Sequence, residues 1–150
     1  MLSYMTTRLD KQVTGNVGLY YCCYQLSLRG WNVMPTARNA KGVDIVIYNS
    51  DATKYLGIQV KTLSGKHDVP LGSALNIMGD YWVILTEVAT GKPTVFVLQP
   101  KEVRAGSVEN QRDGKSSFWL SRKHYSQTQF LEAWEQIGFG HPVSETPFGS

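Results

Sequence analysis

Apolar and polar positions recur along this chain with two different periods, and the changes of period mark its elements. From Thr14 to Arg29, "TGNVGLYYCCYQLSLR", the residues Val17, Tyr20, Tyr21, Tyr24 and Leu28 fall at helical spacing. Gly30 stands where a left-handed helix cap belongs, so this is the first helix. Its tyrosine stripe reads as a packing face; an aromatic platform for nucleic acid would require exposed rings. "WNVMP" is a short strand ended by Pro35. From Gly42 to Tyr48 the period is two, with Val43, Ile45 and Ile47 on one face and Asp44, Val46 and Tyr48 on the other. "NSDATK" supplies turn residues and "YLGIQVKT" a return strand, and near-symmetry about residue 52 sets Asp44 opposite the stretch from Gln59 to Lys61.

Beyond Lys61 the pattern weakens. Gly65 to Gly72 reads as a loop and Ser73 to Met78 as a short helix. "DYWVILTEV" and "TVFVLQP" are two further strands joined by the turn "ATGK", and Pro100 suits the first turn of a brief helix over "KEVR". "GSVENQRDGKSS" reads as a polar surface excursion before a small strand, "FWLS". Ser126 and Gln129 have capping-box spacing, and Phe130, Ala133, Trp134 and Ile137 then mark one face of a helix that stops at Gly138. The tail, 139–150, rich in Pro and Gly, is expected to be an extended strap or disordered. These elements predict one α/β domain over 1–150: a central mixed sheet flanked by helices, a core over about 14–100, and a C-terminal strand and helix over about 117–138.

With 150 residues, 42% hydrophobic and 18% charged, the composition is that of an ordinary globular domain. No apolar run is long enough to span a membrane, and "MLSYMTTRLDK" lacks the apolar centre of a secretion signal, so the cytoplasm is the expected location. Cys22 and Cys23 are helix neighbours whose side chains diverge by roughly 100°, which suits inert thiols rather than a disulfide. His67, His124 and His141 have neither zinc-ligand spacing nor a nucleophile partner. Gly15 and Gly18 lack the Lys-Ser/Thr of a phosphate loop and read as close-packing positions. A net charge of +3 is compatible with a nucleic-acid partner without requiring one.

The chemistry concentrates in the Asp44 strand and its return. An Asp facing a Lys can be a structural ion pair. It can also be a metal site, with Asp44 giving a hard oxygen for Mg²⁺ (or Mn²⁺), Gln59 a neutral side-chain oxygen and Val60 a backbone carbonyl. Lys61 would then lie beside the metal-bound water, a combination suited to phosphodiester hydrolysis. Arg38, Asn39 and Lys41, just before Asp44, read either as a phosphate-holding loop or as solvated surface, and so do Lys66 and His67 after the return strand.

From about Gly15 to Leu98 the order of elements resembles the core of the PD-(D/E)XK nuclease superfamily, which includes restriction endonucleases, Holliday-junction resolvases and some homing endonucleases. Where that family opens its first helix with G-E-x-G-E, this chain has Gly15, Asn16, Val17, Gly18 and Leu19, and the helix ends in Gly30-Trp31. Val43-Asp44 stands in place of its P-D and Gln59-Val60-Lys61 in place of (D/E)-X-K, with Gln a recurrent variant at that position. The resemblance implies an αβββαβ core and a Mg²⁺-dependent endonuclease acting on DNA, with Asp44, Gln59 and Lys61 at the centre and Asn16 in place of the helix acid. By analogy it also implies a homodimer. The alternative is a module that binds nucleic acid, or serves assembly, on the same fold without catalysis.

Overall fold

A computed structural model describes residues 8–37 and 41–143. The first helix, α1 (Lys11–Leu28), begins one turn before the apolar pattern does, because Asp10 caps it by accepting a 2.8 Å hydrogen bond from the Val13 N–H. Its end is the predicted one. Gly30 takes φ +84° and donates to Ser27 O while Trp31 N donates to Leu26 O, the paired arrangement that closes a helix through a left-handed residue. The inward face is not the tyrosine stripe. Thr14, Gly18, Cys22 and Leu26 are buried, whereas Tyr20 and Tyr24 are 65% and 61% exposed, so the expectation of a tyrosine packing face is corrected. The small residues let the helix lie close to the sheet: a Cβ on Gly18 would collide with the Thr62 side chain.

The sheet begins as a meander. β1 (Asn32–Pro35), β2 (Ile45–Tyr48) and β3 (Tyr55–Thr62) pair antiparallel, with Ile45 opposite Ile58. The β2–β3 turn is held by Asn49, whose Oδ1 accepts from the backbone N–H of Thr53 and Lys54. β4 (Val69–Gly72) then leaves this sheet. β5 (Tyr81–Thr86) returns parallel to β3, and β6 (Thr94–Leu98) pairs antiparallel with β5, giving the order β1-β2-β3-β5-β6. The α/β fold with a central mixed sheet is therefore as expected, but Ser73–Met78 forms no helix, and the β3-to-β5 crossover runs through β4 instead.

α2 (Pro100–Ala105) starts at Pro100, with Glu102 accepting from Gln99 N. The polar excursion is a hairpin: β7 (Ser107–Arg112) and β8 (Lys115–Leu120) turn at Asp113-Gly114, both with positive φ, and β4 joins them in a second sheet, β4-β8-β7. The predicted helix after Ser126 is also corrected. α3 covers only Arg122–Tyr125, and short 3₁₀ turns follow at Thr128–Phe130 and Trp134–Gln136. Glu132 interrupts them with φ +50° and donates its N–H to Val95 O on β6. The residues picked out as its apolar face are all buried, but in two places. Phe130 joins the cluster of Trp82, Ile84, Phe96 and Leu120, whereas Ala133, Trp134 and Ile137 join that of Leu26, Ile45, Val83 and Val97. A continuous helix cannot serve both faces of one sheet. Gly140 finally straps the α1 end to the β2–β3 turn, donating to Arg29 O and accepting from Ser50 N. No described helix is long and apolar enough to cross a membrane.

Candidate active site

Asp44 sits immediately before β2 with its backbone fixed on both sides. Its N–H donates to Ile58 O of β3, and its carbonyl accepts from the Thr36 N–H beyond β1. Because β3 runs past the start of β2, the Val60 N–H has no strand partner on that edge, and it donates instead to Asp44 Oδ2 at 2.7 Å. Gln59 Nε2 donates to the same oxygen at 2.9 Å. One carboxylate oxygen is thus held by two donors, while Oδ1 has no hydrogen-bond partner among the described residues. The Gln59 side chain meets the carboxylate through its amide nitrogen, which leaves its oxygen turned from Asp44.

Lys61, two residues on, projects over the ring of Trp82 on β5, with Nζ 5.6 Å from the ring centroid. Burial lowers its pKa from the usual lysine value, and the Asp44 charge acts in the opposite direction. These groups open on a cleft of about 270 Å³ walled by Gly15, Asn16 and Leu19 of α1, by Thr36 and Ala37, and by Asp44, Val60, Lys61 and Thr62. The Gly18–Thr62 approach holds α1 against this edge of β3 and so sets the width of the cleft.

The structure therefore brings together Asp44, Gln59, Val60, Lys61 and Asn16, all expected at the site. Lys66 lies elsewhere, in a second cavity with Thr86, Phe96, Arg122 and Tyr125, and its ammonium is 3.6 Å from Glu87. Lys41 is exposed, and Arg38 and Asn39 lie outside the described residues. Two positioning residues escaped the sequence reading. Thr36 clamps the loop before Asp44 through Oγ1 to Val43 O at 2.7 Å, and nothing in its spacing marks it. Trp82 is opposite Gln59 in the parallel register, which becomes visible only once β3 and β5 are known to pair. No group of three or more His, Cys, Asp or Glu that could hold a metal occurs among the described residues.

No protein-family model and no curated protein sequence matches the chain. Among solved structures it is similar to the bacterial homing endonuclease I-Ssp6803I, at 15% identity and a TM-score of 0.53, over 85% of this chain and 92% of that one. The chain shares the fold of that endonuclease.

Proposed function

We propose that this protein is a metal-dependent endonuclease of the PD-(D/E)XK type that hydrolyses phosphodiester bonds in DNA, with Asp44, Gln59 and Lys61 as its centre. The observation that carries the reading is the Asp44 carboxylate: one oxygen is anchored by Gln59 and Val60, the other has no hydrogen-bond partner among the described residues, and the residue lines a cleft together with a partly desolvated lysine. A structural ion pair would place the Lys61 ammonium against that carboxylate, and among the described residues no such contact within 4 Å exists; Lys61 lies over Trp82 instead.

The donor set fits a hard cation that keeps most of its water. Mg²⁺ is commonly bound by one or two carboxylates together with substrate phosphate, and Asp44 Oδ1 and the Val60 carbonyl are the candidate ligands, with the Gln59 side-chain oxygen joining them once its amide turns over from its contact with Asp44. Bound there, such a cation would lower the pKa of a water and offset charge on the phosphoryl oxygens. The chain's own residues act around it. Asp44 is oriented before substrate arrives, Lys61 can hold or accept a proton at Nζ beside the attacking water, and Asn16 offers an uncharged amide to the scissile phosphate or its neighbour.

The test is cleavage of duplex, branched, flap and single-stranded DNA in Mg²⁺ or Mn²⁺. Asp44→Asn and Lys61→Ala are each expected to abolish cleavage while leaving folding and DNA binding nearly intact. Absence of cleavage of every substrate by the wild-type chain in both metals would remove catalysis and leave a binding module on this fold.

A further inference from the structure

The second cavity, also of about 270 Å³, shares no lining residue with the Asp44 cleft. Its floor is the corner where β5 ends and β6 begins, with Thr86 and Thr94 as cross-strand partners. Thr86 follows Trp82 and Ile84 on the face that packs the Phe96 cluster, so strand alternation turns its side chain toward the cavity and away from α1. The residue is 1% exposed, and its hydroxyl has no hydrogen-bond partner among the described residues. A buried donor left unpaired is costly, and it points to a group that enters from the space beside it.

The rim supplies charge. Lys66 comes from the loop after β3 and Arg122 from α3, and Ser126 and Thr128 line the same cavity. Three hydrogen bonds tie those two segments together: Arg122 N donates to Asp68 Oδ1 at 2.7 Å, Arg122 Nη1 to Lys66 O at 3.3 Å, and Tyr125 Oη to His67 O at 2.7 Å. Two cations are thereby held beside one cavity without a ligand's help. Arg122 uses one N–H on that tie and makes no ion pair within 4 Å among the described residues, so the rest of its fork is available. Lys66 has Glu87 at 3.6 Å, and an ion pair so exposed is weak.

We infer that this cavity binds a small molecule through a terminal phosphate group, with Arg122 and Lys66 meeting its charge and Thr86, Thr94, Ser126 and Thr128 donating to its oxygens. A phosphate presents three strong acceptor oxygens and takes donors from several directions, which suits hydroxyls on the floor and cations at the rim. At about 270 Å³ the space lies just below the usual range of organic-ligand pockets, about 300–1,000 Å³, so it holds a compact phosphate rather than a nucleic-acid backbone. On binding, Lys66 exchanges Glu87 for the phosphate. Binding here is independent of cleavage at Asp44.

Isothermal titration of the full chain tests the site, with inorganic phosphate and separately with a nucleoside 5′-monophosphate, in EDTA and in buffer free of phosphate and sulfate. Wild type is expected to bind one equivalent saturably. Arg122→Met and Thr86→Val each remove a hydrogen bond to a charged group and should raise Kd about tenfold or more, with circular dichroism unchanged. Glu87→Gln releases Lys66 and removes a negative charge beside the cavity, so it should lower Kd. Tighter binding of the ester than of inorganic phosphate would identify an organic phosphate as the ligand, and equal or weaker binding would identify phosphate itself. If Arg122→Met does not fold, Thr86→Val, which nearly keeps the side chain's shape, decides. Absence of saturable binding of both probes by wild type would overturn the proposal, and so would folded variants at Arg122 and Thr86 that bind as tightly as wild type, which would leave only an ion held by net charge.

Discussion

Asp44 and Lys61 bear the cost of the cleft in different ways. Among the described residues the Asp44 carboxylate has partners for one oxygen only, and Lys61 is drawn partly out of water without a contacting carboxylate. Because burial leaves the folded pKa of Lys61 below 10.5, the unfolded chain binds the proton more readily between those two values. The penalty is therefore complete below the folded pKa and is relieved as pH rises toward 10.5. Lys61→Met is expected to raise the melting temperature at neutral pH while abolishing cleavage, with the gain over wild type shrinking as pH approaches 10.5; thermal scans at several pH values read this directly. Gln59→Glu separates two versions of the site. A second carboxylate tightens divalent-cation binding, so cleavage should saturate at a lower Mg²⁺ concentration, and a metal titration of initial rates shows whether the maximal rate rises with it. At this scale the sequence was most informative, since Asp44, Gln59 and Lys61 converge through a hairpin register that local periodicity fixes. Which amide atom Gln59 presents, and that Trp82 lies under Lys61, depend on contacts that no local pattern encodes.

Among the elements, α1 has two glycines that look alike in sequence and differ in what surrounds them. A Cβ at Gly15 would meet nothing within 4 Å, whereas at Gly18 it would overlap the Thr62 side chain. Gly15→Ala should stabilise the chain by about 0.5–1 kcal/mol through helix propensity. Gly18→Ala should destabilise it by about 1–3 kcal/mol and displace α1 from β3, with loss of activity. Chemical denaturation of the two variants beside wild type gives both signs in one experiment. Hydrophobic spacing alone placed both glycines in the helix but pointed to the wrong inward stripe, because α1 has apolar residues on two sides and its sheet-facing side is made of small ones. The β2–β3 hairpin was readable because its partners are neighbours in the chain. β4 was not, because its partner strand, β8, begins at Lys115. The Asp113-Gly114 dipeptide between β7 and β8 is a turn signal that could have revealed their hairpin.

Across the whole molecule, the two apolar clusters lie on opposite faces of one sheet, and the segment from Phe130 to Ile137 contributes to both by passing the β6 edge. The cationic groups divide as well. Lys61 lines the Asp44 cleft, exposed Lys41 stands three residues before Asp44 in the chain, and Lys66 lines the second cavity, where Glu87 faces it. If DNA runs along the Asp44 side, each phosphate contact there adds about 0.9 to the slope of log affinity against log salt. Lys41→Ala should lower that slope by about one contact, whereas Lys66→Ala should leave it unchanged; fluorescence anisotropy at graded salt checks both. The division into faces also orders events in time. The whole constellation of Asp44, Gln59 and Lys61 is complete by residue 62, yet β3 needs β5 beside it, and β4 has no partner until β8 exists. On a ribosome the chemical groups therefore emerge long before the scaffold that positions them. A nascent chain halted between residue 62 and β8 would carry every group of the proposed centre without the finished scaffold, so the activity proposed for it would appear only with completion of the C-terminal third.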